Sequence, residues 1–290
     1  MALALRAGTP IFVAEEVVEK AGVEEASLHA RGRGGLRVAR ALALLLLLEL
    51  VLAQRLAVIG DWGAETPYRL EVASGLWRFH TQAPLEALFT VGDNFYPRGR
   101  VVEAYLKDLP PIPLYPAFGN HDAPALAEQL DRFRLKRPFY RVKIGQVEAF
   151  VLYSEDFTQA QRSWLERALS ESQAPWKLVL LHRPLYSSGL HGGSRSLRSA
   201  LEPLLLRHRV ALVLAGHDHH YERLLAKGLV HLVTGGGGAW PRAVPMVKPE
   251  SQKIHVGPNF VVLTVGQNAL EIQALDPSLE VLDRFSLATP

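Results

Sequence analysis

Eight side chains able to bind metal ions or move protons recur along this sequence: Asp61, Asp93, Tyr96, Asn120, His121, His182, His217 and His219. They lie in five short clusters, Gly60-Asp61-Trp62-Gly63, Gly92-Asp93-Asn94-Phe95-Tyr96, Gly119-Asn120-His121-Asp122, His182-Arg183-Pro184 and Gly216-His217-Asp218-His219. Carboxylates, a phenol, an amide and imidazoles are the donors a hydrolytic pair of cations uses, the ions about 3.5–4 Å apart and commonly sharing one carboxylate. Singly, each cluster is ordinary, since an Asp after a strand is more often a turn or a cap. Five in this order, in the same setting each time, point to one two-metal site. The chain has no cysteine, so thiolate ligands, cysteine nucleophiles and disulfides are excluded.

The setting is a repeated one. Short apolar runs at Arg55 to Ile59, Leu88 to Val91, Leu114 to Phe118, Leu178 to Leu181 and Val210 to Ala215 each end in one of the clusters. Helical periodicity lies between them, for instance at Gln159 to Leu169 and Ser196 to Leu206. Strands alternating with helices predict an α/β domain with largely parallel pairing, and ligands in such sheets bind at the carboxyl ends of the strands. Glycine lets the backbone turn sharply at those ends without bulk near the ligands. The pattern then changes. Leu229 to Thr234, Phe260 to Val265, Ala269 to Ala274 and Val281 to Phe285 read as a mainly antiparallel group, with a hairpin at Gly266-Gln267-Asn268, and a second sheet packed on the first is expected.

With 290 residues, 48% hydrophobic and 21% charged, the chain is long enough for one large domain with a full core. Its formal charge of +3 and the absence of a basic tract give no sign of a nucleic-acid partner. Near the N-terminus, Arg37-Val38-Ala39-Arg40 precedes the apolar run of residues 41–53. With small residues at Val51 and Ala53, residues 38–53 read as a secretory signal cleaved after Ala53, although Glu49 interrupts the run. The run is short of the ~20 apolar residues a membrane span needs. A buried helix or strand is the alternative. A signal normally begins a chain, so residues 1–37 read as a non-native or disordered extension, with translation starting near Val38. The domain expected to carry the chemistry is 54–290, secreted or periplasmic, or cytoplasmic if residues 41–53 are no signal.

These motifs resemble the ordered blocks of the calcineurin-like metallophosphoesterases, and within them most resemble the small, tartrate-resistant type of purple acid phosphatase. The likeness runs from about Arg55 to the C-terminus, and includes Pro138-Phe139-Tyr140-Arg141 and His191-Gly192. It implies a four-layer α/β/β/α sandwich of two mixed sheets flanked by helices. Most relatives have Asp-x-His in the first block. Here Gly63 stands at the His position and cannot ligate, so Tyr96 is expected in its place, as in the purple enzymes. The resemblance implies a first site of Asp61, Tyr96 and His219 for Fe(III) and a second of Asn120, His182 and His217 for Fe(II), Zn or Mn. Asp93 would bridge them. It implies hydrolysis of phosphate monoesters by in-line attack of hydroxide held on the metal pair. His121 would be the general acid, Asp122 would orient it, and His191 would contact phosphate.

Other features have plainer readings beside the functional ones. Gly235 to Gly238 is either a phosphate cradle or, more simply, a place of close backbone packing; no Walker lysine pattern is present. His220 is expected in a supporting or surface position. Tyr221-Glu222-Arg223, Trp62, Phe95, Arg98, Tyr186 and Trp240 are expected at the rim of the site. Ser154 to Phe157 leads almost directly into a helix, leaving no room for the long regulatory loop of mammalian relatives. The expected partner is a small phosphorylated substrate, with no membrane span after signal cleavage and a monomeric state. The competing functions are a Mn- or Zn-dependent diesterase or nucleotidase, and a binding module on the same fold that has lost catalysis.

Overall fold

Strand β1 (Gln54–Ile59) lies parallel to β2 (Ala87–Val91), which lies parallel to β3 (Leu114–Ala117). Helices α1 (Pro67–Gln82) and α2 (Glu103–Asp108) make the crossovers. Pro67 stands at the start of α1, where its missing N–H costs nothing. A computed structural model of the protein describes residues 53–266 and 268–289. The expectations for residues 1–37 and, apart from Ala53, for the signal at 38–53 lie outside the described residues.

After α3 (Leu126–Arg132), β4 (Tyr140–Ile144) turns at Gly145 into β5 (Val147–Val151). Helix α4 (Gln159–Glu171) follows, its first turn capped by the Thr158 hydroxyl, which accepts from the Gln161 amide at 3.2 Å. Then come β6 (Trp176–Leu180), α5 (Arg195–Arg207, capped by Ser194), β7 (Leu212–Ala215), β8 (Tyr221–Ala226) and β9 (Leu229–Thr234). The remaining strands are β10 (Ser251–His255), β11 (Phe260–Val265), β12 (Ala269–Leu275) and β13 (Val281–Ala288). They form a six-stranded sheet in the order β13-β12-β11-β1-β2-β3 and a seven-stranded sheet in the order β10-β8-β9-β7-β6-β5-β4.

Alternate residues of the same strand feed different cores, which fixes the layering. Leu56, Val58, Phe89 and Val91 of the first sheet meet Ala149, Val151, Leu178, Leu180 and Leu214 of the second in the layer between the sheets. Ala57, Ile59 and Leu88 face outward onto Val72 and Leu76 of α1. Val179, Leu181 and Val213 face Leu165 of α4 and Leu201 and Leu205 of α5 on the opposite outside. The result is helices, sheet, sheet, helices. Because both faces are covered, β2 and β5 are buried at every position. Among the described residues no helix is long and apolar enough to cross a membrane.

The sheet membership differs from the sequence reading. The last three strands do not join Leu229–Thr234 in a second sheet. β11 pairs antiparallel with β1, extending the first sheet through β12 and β13, whereas β9 pairs parallel with β7 in the other. β6 and β7, read as part of the first sheet, belong to the second. A strand buried on both faces has the same apolar pattern whichever sheet it enters, so the pairing is settled by packing rather than by periodicity. The β11–β12 hairpin forms as expected, although Gln267 at its tip is outside the described residues.

Candidate metal centre

The five clusters meet across the seam between the two sheets, not along one sheet edge as expected. Asp61, Asp93 and Asn120 follow β1, β2 and β3 of the first sheet, while His182, His217 and His219 follow β6 and β7 of the second. Asp61, Asp93 and His217 have φ of 55°, 53° and 71°, left-handed conformations that L-residues hold only when their surroundings demand it. The demand is close approach. A Cβ added at Gly119 would lie 2.2 Å from Asp93 Oδ1, and one at Gly216 would lie 2.4 Å from Asp61 Oδ2.

Two groups of donors result, joined by one carboxylate. In the first, the Tyr96 hydroxyl lies 3.2 Å from Asp61 Oδ1, 2.9 Å from Asp93 Oδ2 and 3.3 Å from His219 Nε2. In the second, His182 Nε2 lies 3.1 Å from Asn120 Oδ1, 3.1 Å from His217 Nδ1 and 3.5 Å from Asp93 Oδ1. Asp93 thus turns one oxygen to each group. Asp61, Asp93 and His182 are all buried and close enough to hold one ion.

The donor set fits cations better than it fits hydrogen bonding alone. A phenol has one hydrogen, so Tyr96 can satisfy one of the two carboxylates it faces and not both. His182 Nδ1 sits 2.9 Å from the Val91 carbonyl and His219 Nδ1 sits 2.9 Å from the Trp240 carbonyl. Each ring therefore carries a proton on Nδ1 and turns Nε2 inward, the orientation a metal ligand needs. Lone pairs converge in both groups with no proton between most of them.

The electrostatics reflect that crowding. Burial works against charge on Asp61, but the His219 hydrogen bond and the nearby imidazoles outweigh it and hold its pKa below the usual value. Burial, with His182 close by, pushes His217 down to about 2, so its ring is neutral and available as a donor. Burial and the fields of Asp61 and Asp93 raise the Tyr96 phenol well above its ordinary value. Without a cation it stays protonated.

Above the two groups is a cavity of about 90 Å³ lined by Asp93, Asn120, His121, His191, His217, His219 and Arg242. His121 is held by its Nδ1, 2.8 Å from the Pro97 carbonyl, with Nε2 4.0 Å from Asp93 Oδ2. Asp122 was expected to orient that ring and does not touch it. Its buried carboxylate instead accepts from the backbone N–H groups of Asn94, Phe95 and Gly119 and from Gln129, so it ties the Asp93 loop to the Asn120 loop. Burial and the charge of Asp93 raise its pKa to about 6. His191 stacks on His217 with ring centroids 4.3 Å apart, and its Nε2 receives the Arg242 guanidinium.

Several expected rim residues are interior. Trp62 and Phe95 are fully buried and pack on each other, the Trp62 indole donating to Asn94 Oδ1 at 3.1 Å. Tyr186 is buried and donates to Glu202. Tyr221 donates to Asp283, while Glu222 pairs with the buried His220 ring and Ser188, so neither reaches the rim. An aromatic beside a ligand fills the space behind the loop when the loop needs backing. Trp240 and Arg98 are exposed. Gly235 to Gly238 is a packing device: a Cβ at Gly237 would lie 2.4 Å from the Gly60 carbonyl. Residues the sequence reading passed over are Arg242, which lines the cavity, and Arg183, gripped by Glu155 at 2.8–3.0 Å and 3.0 Å from His217 Nε2. The only signal for Arg183 was its place beside His182, and Arg242 carried none.

A family model described as calcineurin-like phosphoesterase matches residues 54–221. The chain is 27% identical to purple acid phosphatase 4 of Arabidopsis thaliana, over 79% of this chain and 81% of that one. It is 26% identical to tartrate-resistant acid phosphatase type 5 of Oryctolagus cuniculus, over 63% and 72% respectively. Among solved structures, it superposes on the purple acid phosphatase PPD1 from yellow lupin with a TM-score of 0.73 at 21% identity, covering 81% of this chain and about half, 54%, of the lupin protein. GAP50, the anchor in the inner membrane complex of Plasmodium, has the same fold at a TM-score of 0.74 and 19% identity, over 82% of this chain and 89% of that one.

Proposed function

The chain belongs to the calcineurin-like phosphoesterase family, and we propose from that premise that it is a binuclear-metal acid phosphatase hydrolysing phosphate monoesters, its catalytic domain running from Gln54. The observation that carries this reading is the division of Asp93 between two donor groups, one oxygen 2.9 Å from Tyr96 and the other 3.5 Å from His182. Asp61, Tyr96, Asp93 and His219 would hold one cation, and Asn120, His182, His217 and Asp93 the other. A phenolate suits a hard trivalent ion, so Fe(III) is assigned to the first and Fe(II), Zn or Mn to the second. When bound, such a pair supplies Lewis acidity, neutralising phosphoryl oxygens and making water more acidic.

The remaining work falls to side chains. His121 keeps its Nδ1 on the Pro97 carbonyl, 2.8 Å away, which leaves Nε2 directed into the cavity as the group that gives a proton to the leaving oxygen. Asp122 acts on the reaction through the backbone, by fixing the loops that carry Asp93 and Asn120. The cavity beside the donors, about 90 Å³, suits a small tetrahedral anion rather than a bulky group. The leaving group then projects outward, and the substrate is a small phosphorylated compound. We also propose that the domain acts outside the cytoplasm as a monomer.

Purification followed by metal analysis, a visible spectrum and assays on p-nitrophenyl phosphate and its bis-ester tests the reading. The expected outcome is two metal ions per chain including iron, a purple or pink colour and faster monoester turnover. A colourless Zn or Mn protein favouring the bis-ester would replace it with the diesterase reading. A protein that binds no metal and turns over neither ester would leave a binding module, and GAP50 shares this fold with the role of an anchor.

A further inference from the structure

The cavity lining divides into residues that can face cations and residues that remain. Asp93, Asn120, His217 and His219 belong to the two donor groups; His121, His191 and Arg242 do not. Of the last three, Arg242 alone carries a permanent charge. No carboxylate pairs with it among the described residues, whereas the neighbouring Arg183 is neutralised by a two-pronged contact with Glu155.

Arg242 is also held firmly. Its backbone N–H donates to the His219 carbonyl at 3.2 Å, and two residues earlier the Trp240 carbonyl receives the His219 ring. The segment therefore grips a member of the first donor group from both sides. At its far end the guanidinium donates through Nη1 to His191 Nε2. His191 is itself fixed, its N–H donating to Asp218 Oδ1 at 2.9 Å and its ring stacked on His217. With Nε2 accepting from Arg242, that imidazole has no proton to offer at this nitrogen. One Nη1 hydrogen and the other amino group of the fork remain for an anion.

We propose that Arg242 is the residue that binds a non-bridging oxygen of the phosphoryl group, with His191 as its positioning residue rather than the direct phosphate contact. This rests on the proposed phosphatase reading for its substrate, but the contact itself is defined by inorganic phosphate. A guanidinium fork matches tetrahedral oxyanions better than an ammonium does, and it adds charge where the transferred group becomes most anionic.

The test is calorimetric binding of inorganic phosphate to the metal-loaded protein, alongside kcat and KM for p-nitrophenyl phosphate. Arg242→Ala and Arg242→Gln should weaken phosphate binding at least tenfold with metal content unchanged, and Arg242→Lys should fall between them and the parent. His191→Leu should weaken binding about fivefold, and His191→Gln, which restores an acceptor for the guanidinium, should recover most of it. Equal phosphate affinity within twofold in both neutral Arg242 variants would overturn the proposal, as would a His191→Gln variant no better than His191→Leu. If the parent binds phosphate through Arg242 but hydrolyses no ester, the phosphatase reading fails and this contact stands. If esters are hydrolysed and the Arg242 variants bind phosphate normally, the reverse holds.

Discussion

The two sheets make unlike contributions to one site. The first sheet delivers oxygen: Asp61, Asp93, Tyr96 and Asn120, on loops that leave β1, β2 and β3. The second delivers nitrogen: His182, His217 and His219, from β6 and β7. Neither half is a metal site alone. The first crowds acidic oxygens together, and the second brings imidazole nitrogens face to face. Packing the sheets face to face brings each half what the other lacks, so assembly of the core and assembly of the site are one event. Asp93 is where the halves meet.

The comparison breaks most completely at that carboxylate. Asp93→Ala should lose both cations and lower turnover by roughly 10³-fold or more, given several kcal/mol of charge stabilisation from the pair. Metal analysis of the purified variant checks it; one ion retained at full occupancy would mean that the halves are independent. Removing one ligand from one half separates them. Tyr96→Phe should abolish the visible band while the second ion remains, whereas His182→Ala should keep the band and lose the second ion. Turnover should fall in both by about 10²-fold, the range of a lost contact to transition-state charge. Spectra and metal counts that change together in both variants would erase the division.

His121→Ala sharpens the division by removing no donor from either half, although its ring packs on Tyr96 with centroids 4.3 Å apart. The ring hangs from the Pro97 carbonyl at the cavity mouth, so both ions should remain and kcat should fall about 10²-fold. The loss should shrink for p-nitrophenyl phosphate, whose leaving group needs little protonation, relative to an alkyl phosphate. Behind the oxygen half, Asn94 ties Trp62, Thr90, Ala117 and Asp122 together at 2.5–3.2 Å in a fully buried position. Asn94→Ala takes this partner from the Trp62 indole, the Thr90 hydroxyl and the Ala117 carbonyl, while Asp122 keeps its other donors, and should cost about 3 kcal/mol in chemical denaturation.

Much of the donor cluster could be read from the sequence because each donor group follows a short apolar run, and because five acceptor-rich clusters in that one setting have few other uses. The sheet each strand joins could not. Leu178 to Leu180 is fully buried like Leu56 to Ile59, and an apolar run records burial but not neighbour. Strands β4 and β10 escaped notice for the opposite reason, since neither has a fully buried position and neither carries a ligand to mark its end. Trp62 and Phe95 misled as rim residues because proximity in sequence to Asp61 and Asp93 does not say on which side of the loop a ring falls. Arg242 was missed because a single arginine after a proline has no pattern; only folding brings it to His191, 51 positions away.

The smallest expected effect lies far from the ligands, in the nitrogen-bearing sheet. His231 of β9 is buried with neither ring nitrogen bonded, against the Tyr186 ring at 4.9 Å. Burial pushes its pKa down to about 4; Glu202 opposes this, but its charge is already shared with Lys227 and Tyr186, and Arg198 adds to the depression. The unfolded chain takes up a proton here once pH falls below the ordinary histidine value of about 6.5, and the folded chain only near 4. Acid in that window therefore favours unfolding, by about 2 kcal/mol at pH 5, while neutral solution is untouched. His231→Leu should flatten the fall in stability between pH 7 and pH 5 by about that amount, measured by urea titration at each pH. An unchanged pH profile would mean that the acid sensitivity of the domain resides with other buried groups.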